Sequence, residues 1–332
     1  MNKRLFVGAV LLTLVLGLWG GGEKVEAVAG CSVNFNAGYK TISTTVDGRT
    51  LELAVWYPTR TAEVATNYGL ERKLGVGKAA TDAVGASDCK PYPVIIFSHG
   101  FHGCAWQSLF LTEQLAKNGY IVAAPNHQDA VCGGEGGLLD FLEPGSFRQF
   151  REPEKWSDQT YIDRRDDVRA TLDEILKLSS TPSSFLYNKA SKTELGLMGH
   201  SLGGYTTLGL SGAWSTWTDS RFKALVALSP VIKPYLVKPG SISSIKIPVM
   251  IQGGTLDSTI TPDFVTLYPQ IKSPKVEVIL ADAGHLAWSN TFCRDFVDSR
   301  TCLTGDTRIN AITVYATAFF DQFLQNDASA QA

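Results

Sequence analysis

One serine stands in a sequence context that favours nucleophilic chemistry. Ser201 lies in the segment 199–204, which reads GHSLGG, directly after the apolar run 195–198 and before a helix-compatible stretch. Glycines on both sides of a serine allow a sharp, strained turn from a strand into a helix, which lifts the hydroxyl above the edge of a sheet. Because G-x-S-x-G alone is a weak signal, the rest of the chain must supply the partners of the serine.

A serine hydroxyl becomes a nucleophile only with a base within hydrogen-bond reach and a third group that orients this base. Asp257 follows the apolar run 248–252, and His285 follows the run 276–280. Since loops at the carboxyl ends of parallel strands gather at one edge of a sheet, the three side chains are predicted to meet there. We therefore predict Ser201 as the nucleophile, His285 as the base and Asp257 as the acid.

Other residues of the same types are weaker candidates for these roles. Asp263 and Asp282 compete with Asp257, but Asp282 lies only three residues before His285, which is awkward for a group that must approach the imidazole from another loop. The remaining histidines follow earlier strands or lie inside the serine turn: His99, His102, His127 and His200.

Attack of a serine on a carbonyl group creates an oxyanion, which needs hydrogen-bond donors. We expect one donor to be the backbone N–H of Leu202, the residue after the nucleophile. The other is expected in the loop 98–103, which reads SHGFHG and follows the apolar run 94–97. We choose the N–H of Phe101 there, with that of His102 as the alternative.

Strand and helix signals alternate along most of the chain. This pattern predicts one domain of the α/β class, with a mostly parallel central sheet and helices on both faces. The segment 39–57 alternates around a DG pair and predicts an antiparallel N-terminal hairpin, whereas 59–90 shows no sustained period and is predicted to be irregular. The predicted buried strands are 93–97, 120–124, 195–198, 224–228, 248–252 and 276–280, and the clearest helices are 106–118, one around 168–176 and one around 309–323.

The segment 131–160 breaks this alternation. It contains two glycine pairs and then four aromatic residues, Phe141, Phe147, Phe150 and Trp156. Loops of this length in a compact domain tend to be functional or disordered. We expect a lid or a substrate-facing insertion, with a surface excursion as the alternative.

The start of the chain has the pattern of a secretory signal. Lys3 and Arg4 precede the apolar run 5–19, and an AVA tripeptide at 27–29 offers a cleavage site. The run is shorter than a typical membrane-spanning helix. We expect a signal peptide at 1–29, a mature domain at 30–332 and a secreted or periplasmic protein. A lipoprotein anchored at Cys31 is the alternative, although charged residues separate the apolar run from this cysteine.

The six cysteines all lie after this cleavage site, and an even number in an exported chain favours disulfides. Sequence alone cannot choose among the connectivities. We predict a local Cys293–Cys302 bridge and a Cys104–Cys132 bridge between loops that follow adjacent strands, which leaves Cys31–Cys89. No spacing typical of a zinc site is present. The acidic residues Asp129, Glu135 and Asp140 are interpreted as a solvated loop rather than a calcium site, so no metal or cofactor is predicted.

Three segments resemble a known group of enzymes. These are FSHGF at 97–101, AAPNHQD at 123–129 and GHSLGG at 199–204, and they are similar to the platelet-activating-factor acetylhydrolase and dienelactone-hydrolase-like branch of the α/β-hydrolase superfamily. The resemblance covers roughly residues 93–290. It implies the α/β-hydrolase fold, ester hydrolysis and an oxyanion donor just after the His-Gly pair, which is Phe101.

The chain also departs from this group. Dienelactone hydrolases use a cysteine nucleophile, where this chain has Ser201. Acetylhydrolases carry the acid soon after the strand that follows the nucleophile, where this chain reads LSP at 228–230. The later position of Asp257, with Pro262 nearby, is similar to that in bacterial cutinases and polyester hydrolases, although their second aromatic clamp has no obvious counterpart here.

We therefore expect a serine carboxylester hydrolase that works through an acyl-enzyme. The expected substrate is a small-molecule or lipid ester, or a polyester, and the protein is expected to be a monomer without a stable membrane span. A net charge of −2 and the lack of a basic cluster argue against a nucleic-acid partner. A peptidase or thioesterase on the same fold is the alternative within enzymes, and a non-catalytic binding protein on a hydrolase scaffold is the alternative outside them.

Overall fold

The computed structural model describes residues 34–68, 76–131, 149–238, 241–258, 260–290 and 305–327. The strands within these ranges are β1 (Asn36–Val46), β2 (Arg49–Thr59), β3 (Val64–Asn67), β4 (Val76–Thr81), β5 (Tyr92–Ser98), β6 (Ile121–Pro125), β7 (Ala190–His200), β8 (Ala224–Leu228), β9 (Val249–Gly254) and β10 (Lys275–Leu280). The α-helices are α1 (Leu109–Lys117), α2 (Ile162–Ser180), α3 (Leu202–Leu208), α4 (Lys233–Leu236), α5 (Thr261–Leu267) and α6 (Thr307–Leu324).

The strands form one sheet in the order β10-β9-β8-β7-β5-β6-β2-β1-β4-β3. From β10 to β6 all neighbours are parallel. The hairpin β1–β2 joins this parallel part through an antiparallel pairing of β2 with β6. The sequence prediction of a mostly parallel sheet with an N-terminal antiparallel hairpin is therefore confirmed.

The central strands are buried on both faces, which explains their nearly continuous apolar sequence. Every residue of β5, β6, β8 and β9 is buried. Side chains that point to one face, such as Val94 and Ile96, pack with helices α2 to α5. Their neighbours Ile95 and Phe97 point to the other face and pack with α1 and α6. This two-sided covering by helices is the arrangement that the sequence predicts.

The segment 59–90 contains regular structure, so the prediction that it is irregular was wrong. It holds β3 and β4, which pair with each other in antiparallel fashion. Strand β4 also pairs with β1 through Gly38↔Ala80 and Tyr39↔Thr81. The sequences VATN and VGKAAT carry too few large apolar residues for an alternating pattern. Their strand conformation depends on the pairing of β4 with β1, a strand distant in the sequence, which a local pattern cannot reveal.

No helix within the described ranges is long and apolar enough to cross a membrane. The predicted signal segment 1–29 and Cys31 lie outside the described residues. So do residues 132–148, which make up most of the predicted insertion.

A buried carboxyl group on α1 joins this helix to β4. The side chain of Glu113 accepts a hydrogen bond from the Tyr68 hydroxyl at 2.7 Å and from the Lys78 backbone N–H at 3.1 and 3.2 Å. Burial raises the pKa of Glu113 to about 8, although the Tyr68 hydrogen bond and the Lys117 charge act to lower it. The folded protein therefore holds a proton on Glu113 at pH values where the unfolded chain has released it.

This carboxyl group is expected to make the free energy of unfolding fall as the pH rises from about 4.5, the ordinary value, to about 8. Replacing Glu113 by glutamine should flatten this dependence by up to about 1.4 kcal/mol per pH unit. Urea unfolding at intervals between pH 5 and 8 measures it. The control is Glu154→Gln at an exposed position, and an unchanged pH slope in the Glu113 variant would contradict the prediction.

Candidate active site

Ser201 occupies the strained turn that the sequence predicts, between β7 and α3. Its backbone has φ 55° and ψ −115°, a conformation in the positive-φ region. Glycine is required on both sides of the turn. A Cβ atom at Gly203 would lie 1.9 Å from the carbonyl oxygen of Ser98, and one at Gly199 would lie 2.3 Å from that of Gly203. Because these two positions have no side chain, the start of α3 can pack directly against the end of β5.

The structure brings together the three side chains predicted for catalysis. His285 Nε2 lies 2.9 Å from Ser201 Oγ, and His285 Nδ1 lies 2.7 Å from Asp257 Oδ2. Because a carboxylate can only accept, Nδ1 carries the proton and Nε2 is left to accept from the serine hydroxyl. The three residues follow β7, β9 and β10, which all end at the same edge of the sheet. Asp282, the competing acid, lies at an exposed turn.

The Asp257 carboxylate is buried and remains charged. Burial alone would raise its pKa, but the hydrogen bond and charge of His285 and a hydrogen bond from Ser229 hold the pKa below its ordinary value. The Ser229 hydroxyl donates to the same Oδ2 atom and lies 3.2 Å from His285 Nδ1. The Ile260 backbone N–H donates to Oδ1 at 3.3 Å.

Sequence reasoning did not assign a role to Ser229, which follows β8. Its only signal was its place in the LSP segment, at the point where acetylhydrolases carry their acid. In this chain a hydroxyl stands there and supports a carboxylate that comes from the next loop.

Removing the Ser229 hydroxyl is expected to lower kcat by about tenfold, because a hydrogen bond to a charged group is lost while the His285 bond remains. Ser229→Ala should leave KM nearly unchanged, since the hydroxyl faces Asp257 rather than a substrate. Steady-state ester hydrolysis measures both constants. Ser258→Ala, an exposed serine of the Asp257 loop, is the control, and a wild-type kcat in Ser229→Ala would refute the assigned role.

His200, inside the serine turn, links the loops around the site. Its Nε2–H donates to the His285 carbonyl oxygen at 2.9 Å, and its Nδ1 accepts from Gln107 Nε2 at 2.9 Å. Gln107 Oε1 in turn accepts from the Gly100 N–H at 2.8 Å. Burial, assisted by the neighbouring His285, lowers the pKa of His200 to about 3. The His200 side chain is therefore uncharged, and its hydrogen bonds connect the Ser201 turn to the backbone of His285 and, through Gln107, to the loop after β5.

The two predicted oxyanion donors belong to the two segments that His200 connects, the start of α3 and the loop after β5. Leu202 is the first residue of α3, where the backbone N–H has no acceptor within the helix. Gly100, directly before Phe101, packs so closely on the turn that a Cβ atom there would lie 3.4 Å from Ser201 Cβ. The N–H of His102, the alternative, donates to Asp129 Oδ2 at 3.1 Å. This bond favours Phe101 over His102 as the donor.

The described end of the predicted insertion packs against α3. Trp156 is buried and lies edge-on to Tyr205, with ring centroids 5.0 Å apart. The Tyr205 hydroxyl donates to the Thr160 carbonyl oxygen at 3.1 Å and accepts from Trp214 Nε1 at 3.0 Å. The Phe150 ring stacks on that of Phe101 at 4.4 Å. The insertion therefore returns to the domain beside the loop that carries the predicted oxyanion donor.

The structure describes some, but not all, of the acidic residues and cysteines that the sequence analysis singled out. Among the described residues, no group of three or more His, Cys, Asp or Glu side chains could hold a metal ion. Asp129 pairs with Arg164, whereas Glu135 and Asp140 lie outside the described residues. Cys89 and Cys104 are disulfide-bonded. Each predicted pair includes at least one cysteine outside the described residues, namely Cys31, Cys132, Cys293 and Cys302, so the pairing stays a prediction.

Comparisons with known proteins agree with this architecture. The family model "Platelet-activating factor acetylhydrolase, isoform II" matches residues 37–133, less than half of the chain. No curated protein matches the chain. A solved ferulic acid esterase from Streptomyces cinnamoneus superposes with a TM-score of 0.63 at 18% identity, over 92% of this chain and 95% of that chain. A dienelactone hydrolase from Anabaena variabilis gives 0.52 at 13% identity, over 87% and 99%. Together with the sheet order and the turn at Ser201, these similarities identify the chain as a protein of the α/β-hydrolase fold.

Proposed function

We propose that the protein is a serine carboxylester hydrolase that works through an acyl-enzyme. The observation that carries this proposal is the imidazole of His285, which lies 2.9 Å from Ser201 Oγ and 2.7 Å from Asp257 Oδ2. The names of the matching family and of the two solved structures all denote enzymes that act on esters or lactones. They favour ester hydrolysis over other acyl-transfer reactions.

In the acylation step, Ser201 Oγ attacks the ester carbonyl carbon while His285 Nε2 takes the hydroxyl proton. The backbone N–H groups of Leu202 and Phe101 stabilise the negative charge that develops on the carbonyl oxygen. When the tetrahedral intermediate collapses, the bond to the alcohol oxygen breaks and His285 returns the proton to that oxygen. The alcohol leaves, and the acyl group remains on Ser201.

In the deacylation step, His285 removes a proton from a water molecule that attacks the acyl carbon. Collapse of the second intermediate breaks the bond to Ser201 Oγ, which recovers its proton from His285. Asp257 stays ionised in both steps, keeps the proton on Nδ1 and stabilises the imidazolium ion that forms.

Labelling with a fluorophosphonate, followed by mapping of the modified peptide, tests this function. We expect one labelled site, Ser201, and competition by short-chain p-nitrophenyl esters. A panel of matched ester, thioester and amide substrates then separates an esterase from a thioesterase or peptidase. A folded protein that neither takes up the label nor hydrolyses any of them would instead be a binding protein on a hydrolase scaffold.

We also propose that the protein is exported. The charged start, the apolar run 5–19 and the AVA tripeptide at 27–29 support a signal peptide, and the disulfide-bonded Cys89 and Cys104 suit an oxidising compartment. Mass spectrometry of the mature chain from its native host should give a start at Gly30. A lipid-modified Cys31 as the first residue would reject soluble export in favour of an anchored lipoprotein.

A further inference from the structure

A fully buried arginine lies beneath the loop that carries Phe101. Arg164 belongs to the first turn of α2, and its side chain has 0% exposure. Its guanidinium group contacts Asp129 at 2.7 Å and the carbonyl oxygens of His99 and Gly100 at 2.7 and 3.2 Å. Burying a guanidinium group is unfavourable unless its donors are used. Here they are used on an ion pair and on the backbone of one loop.

Arg164 and Asp129 together hold three successive peptide groups of this loop. Arg164 binds the carbonyl groups of His99 and Gly100, while Asp129 Oδ2 accepts from the His102 N–H at 3.1 Å. The Gly100 carbonyl also accepts from His99 Nδ1 at 2.7 Å and from the Gly103 N–H at 3.0 Å. The backbone on both sides of Phe101 is therefore held by the same ion pair.

The direction of the Phe101 N–H follows from these contacts. In a trans peptide the N–H points opposite to the preceding C=O. Since the Gly100 carbonyl points toward Arg164, the N–H of Phe101 points away from Arg164. Gly100 itself lies against the Ser201 turn. Resting on the proposed esterase function, we propose that Arg164 is a positioning residue, which holds the Phe101 N–H toward the oxyanion that forms beside Ser201.

A chain of buried hydrogen bonds lies beside Arg164. The buried Ser98 hydroxyl lies 2.8 Å from His127 Nε2, and His127 Nδ1 lies 2.8 Å from Asp167 Oδ2. This second Ser-His-Asp arrangement is buried in all three members, so it is not accessible to a substrate. It packs under the loop, and its serine lies 3.4 Å from Arg164 Nη1.

Replacing Arg164 by methionine tests this proposal in the intact enzyme. Since losing one oxyanion donor lowers kcat by about 10²–10³, a misdirected donor should lower kcat by about 10- to 100-fold. KM should change little. The affinity for phenylboronic acid, which forms a tetrahedral adduct on the serine, should fall by the same factor as kcat. The pH midpoint of kcat/KM should stay in place, because the His285 contacts are untouched.

The control is Arg165→Met, the next residue on α2, which pairs with its neighbour Asp166 at 2.8 Å and should behave as wild type. A folded Arg164→Met enzyme with wild-type kcat would overturn the proposal, as would a lower kcat with unchanged boronate affinity or a shifted pH midpoint. If Arg164→Met does not fold, kcat, boronate affinity and the pH midpoint are measured on Arg164→Lys instead, and the same outcomes support or overturn the proposal. Lysine is suitable because one ammonium group cannot bind both carbonyl groups and Asp129 at once. If the wild-type protein itself does not hydrolyse esters, the proposed esterase function is wrong. If only the Arg164 variants behave as wild type, the esterase function stands and the role of Arg164 is wrong.

Discussion

Ser201→Ala is expected to lower kcat for p-nitrophenyl acetate by about 10⁶, to the level that substrate binding and the oxyanion donors alone can support. The effect is large because the hydroxyl oxygen forms the covalent bond to the acyl group, and no other group of the site can replace it. Stopped-flow and long-time hydrolysis assays together cover this range. Fluorophosphonate labelling of the variant should also disappear.

The same variant should fold as well as the wild type. Alanine meets the same backbone strain at φ 55° as serine does, so the free energy of unfolding should change by no more than about 1 kcal/mol. Circular dichroism and urea unfolding check this point. Ser258→Ala, in the neighbouring Asp257 loop, should keep wild-type kcat. Undiminished turnover by Ser201→Ala would remove the basis of the proposed mechanism.

The sequence predicts the central sheet well because its strands are buried on both faces. Each of them carries an apolar run that is visible without any knowledge of its neighbours, as in 93–97 and 224–228. Strand β4 is different. It lies between β1 and β3 near one end of the sheet, and nothing in its Gly-, Ala- and Lys-containing sequence signals the pairing with β1.

The candidate site also contains residues that the sequence predicts and residues that only the structure reveals. Ser201, Asp257 and His285 each follow a recognisable strand, and the parallel direction of these strands places all three residues at one edge of the sheet. Ser229 and Arg164 act through contacts with residues that lie 28 and 65 positions away in the sequence. Such contacts depend on the packing of whole elements, which a one-dimensional pattern does not contain.

Asp257→Asn is expected to lower kcat by about 10⁴ while changing KM little. Asparagine has nearly the same shape, but its amide nitrogen can donate to His285 Nδ1. A histidine that accepts at Nδ1 carries its proton on Nε2, and in this tautomer it cannot take the proton of Ser201. The lost negative charge also leaves the imidazolium ion of the transition state without its partner. Steady-state hydrolysis of p-nitrophenyl acetate gives both constants.

Asp282→Asn is the matched control for this prediction, because Asp282 is the competing acid and lies on the loop that carries His285. It should hydrolyse esters at the wild-type rate. A loss in Asp282→Asn together with an active Asp257→Asn would exchange the two assignments. The double variant Ser201→Ala with Asp257→Asn provides a further test. Residues that act as one unit are not additive, so the double variant should be no slower than Ser201→Ala alone. A further large loss would show that Asp257 contributes to the rate by a route that does not pass through His285 and Ser201.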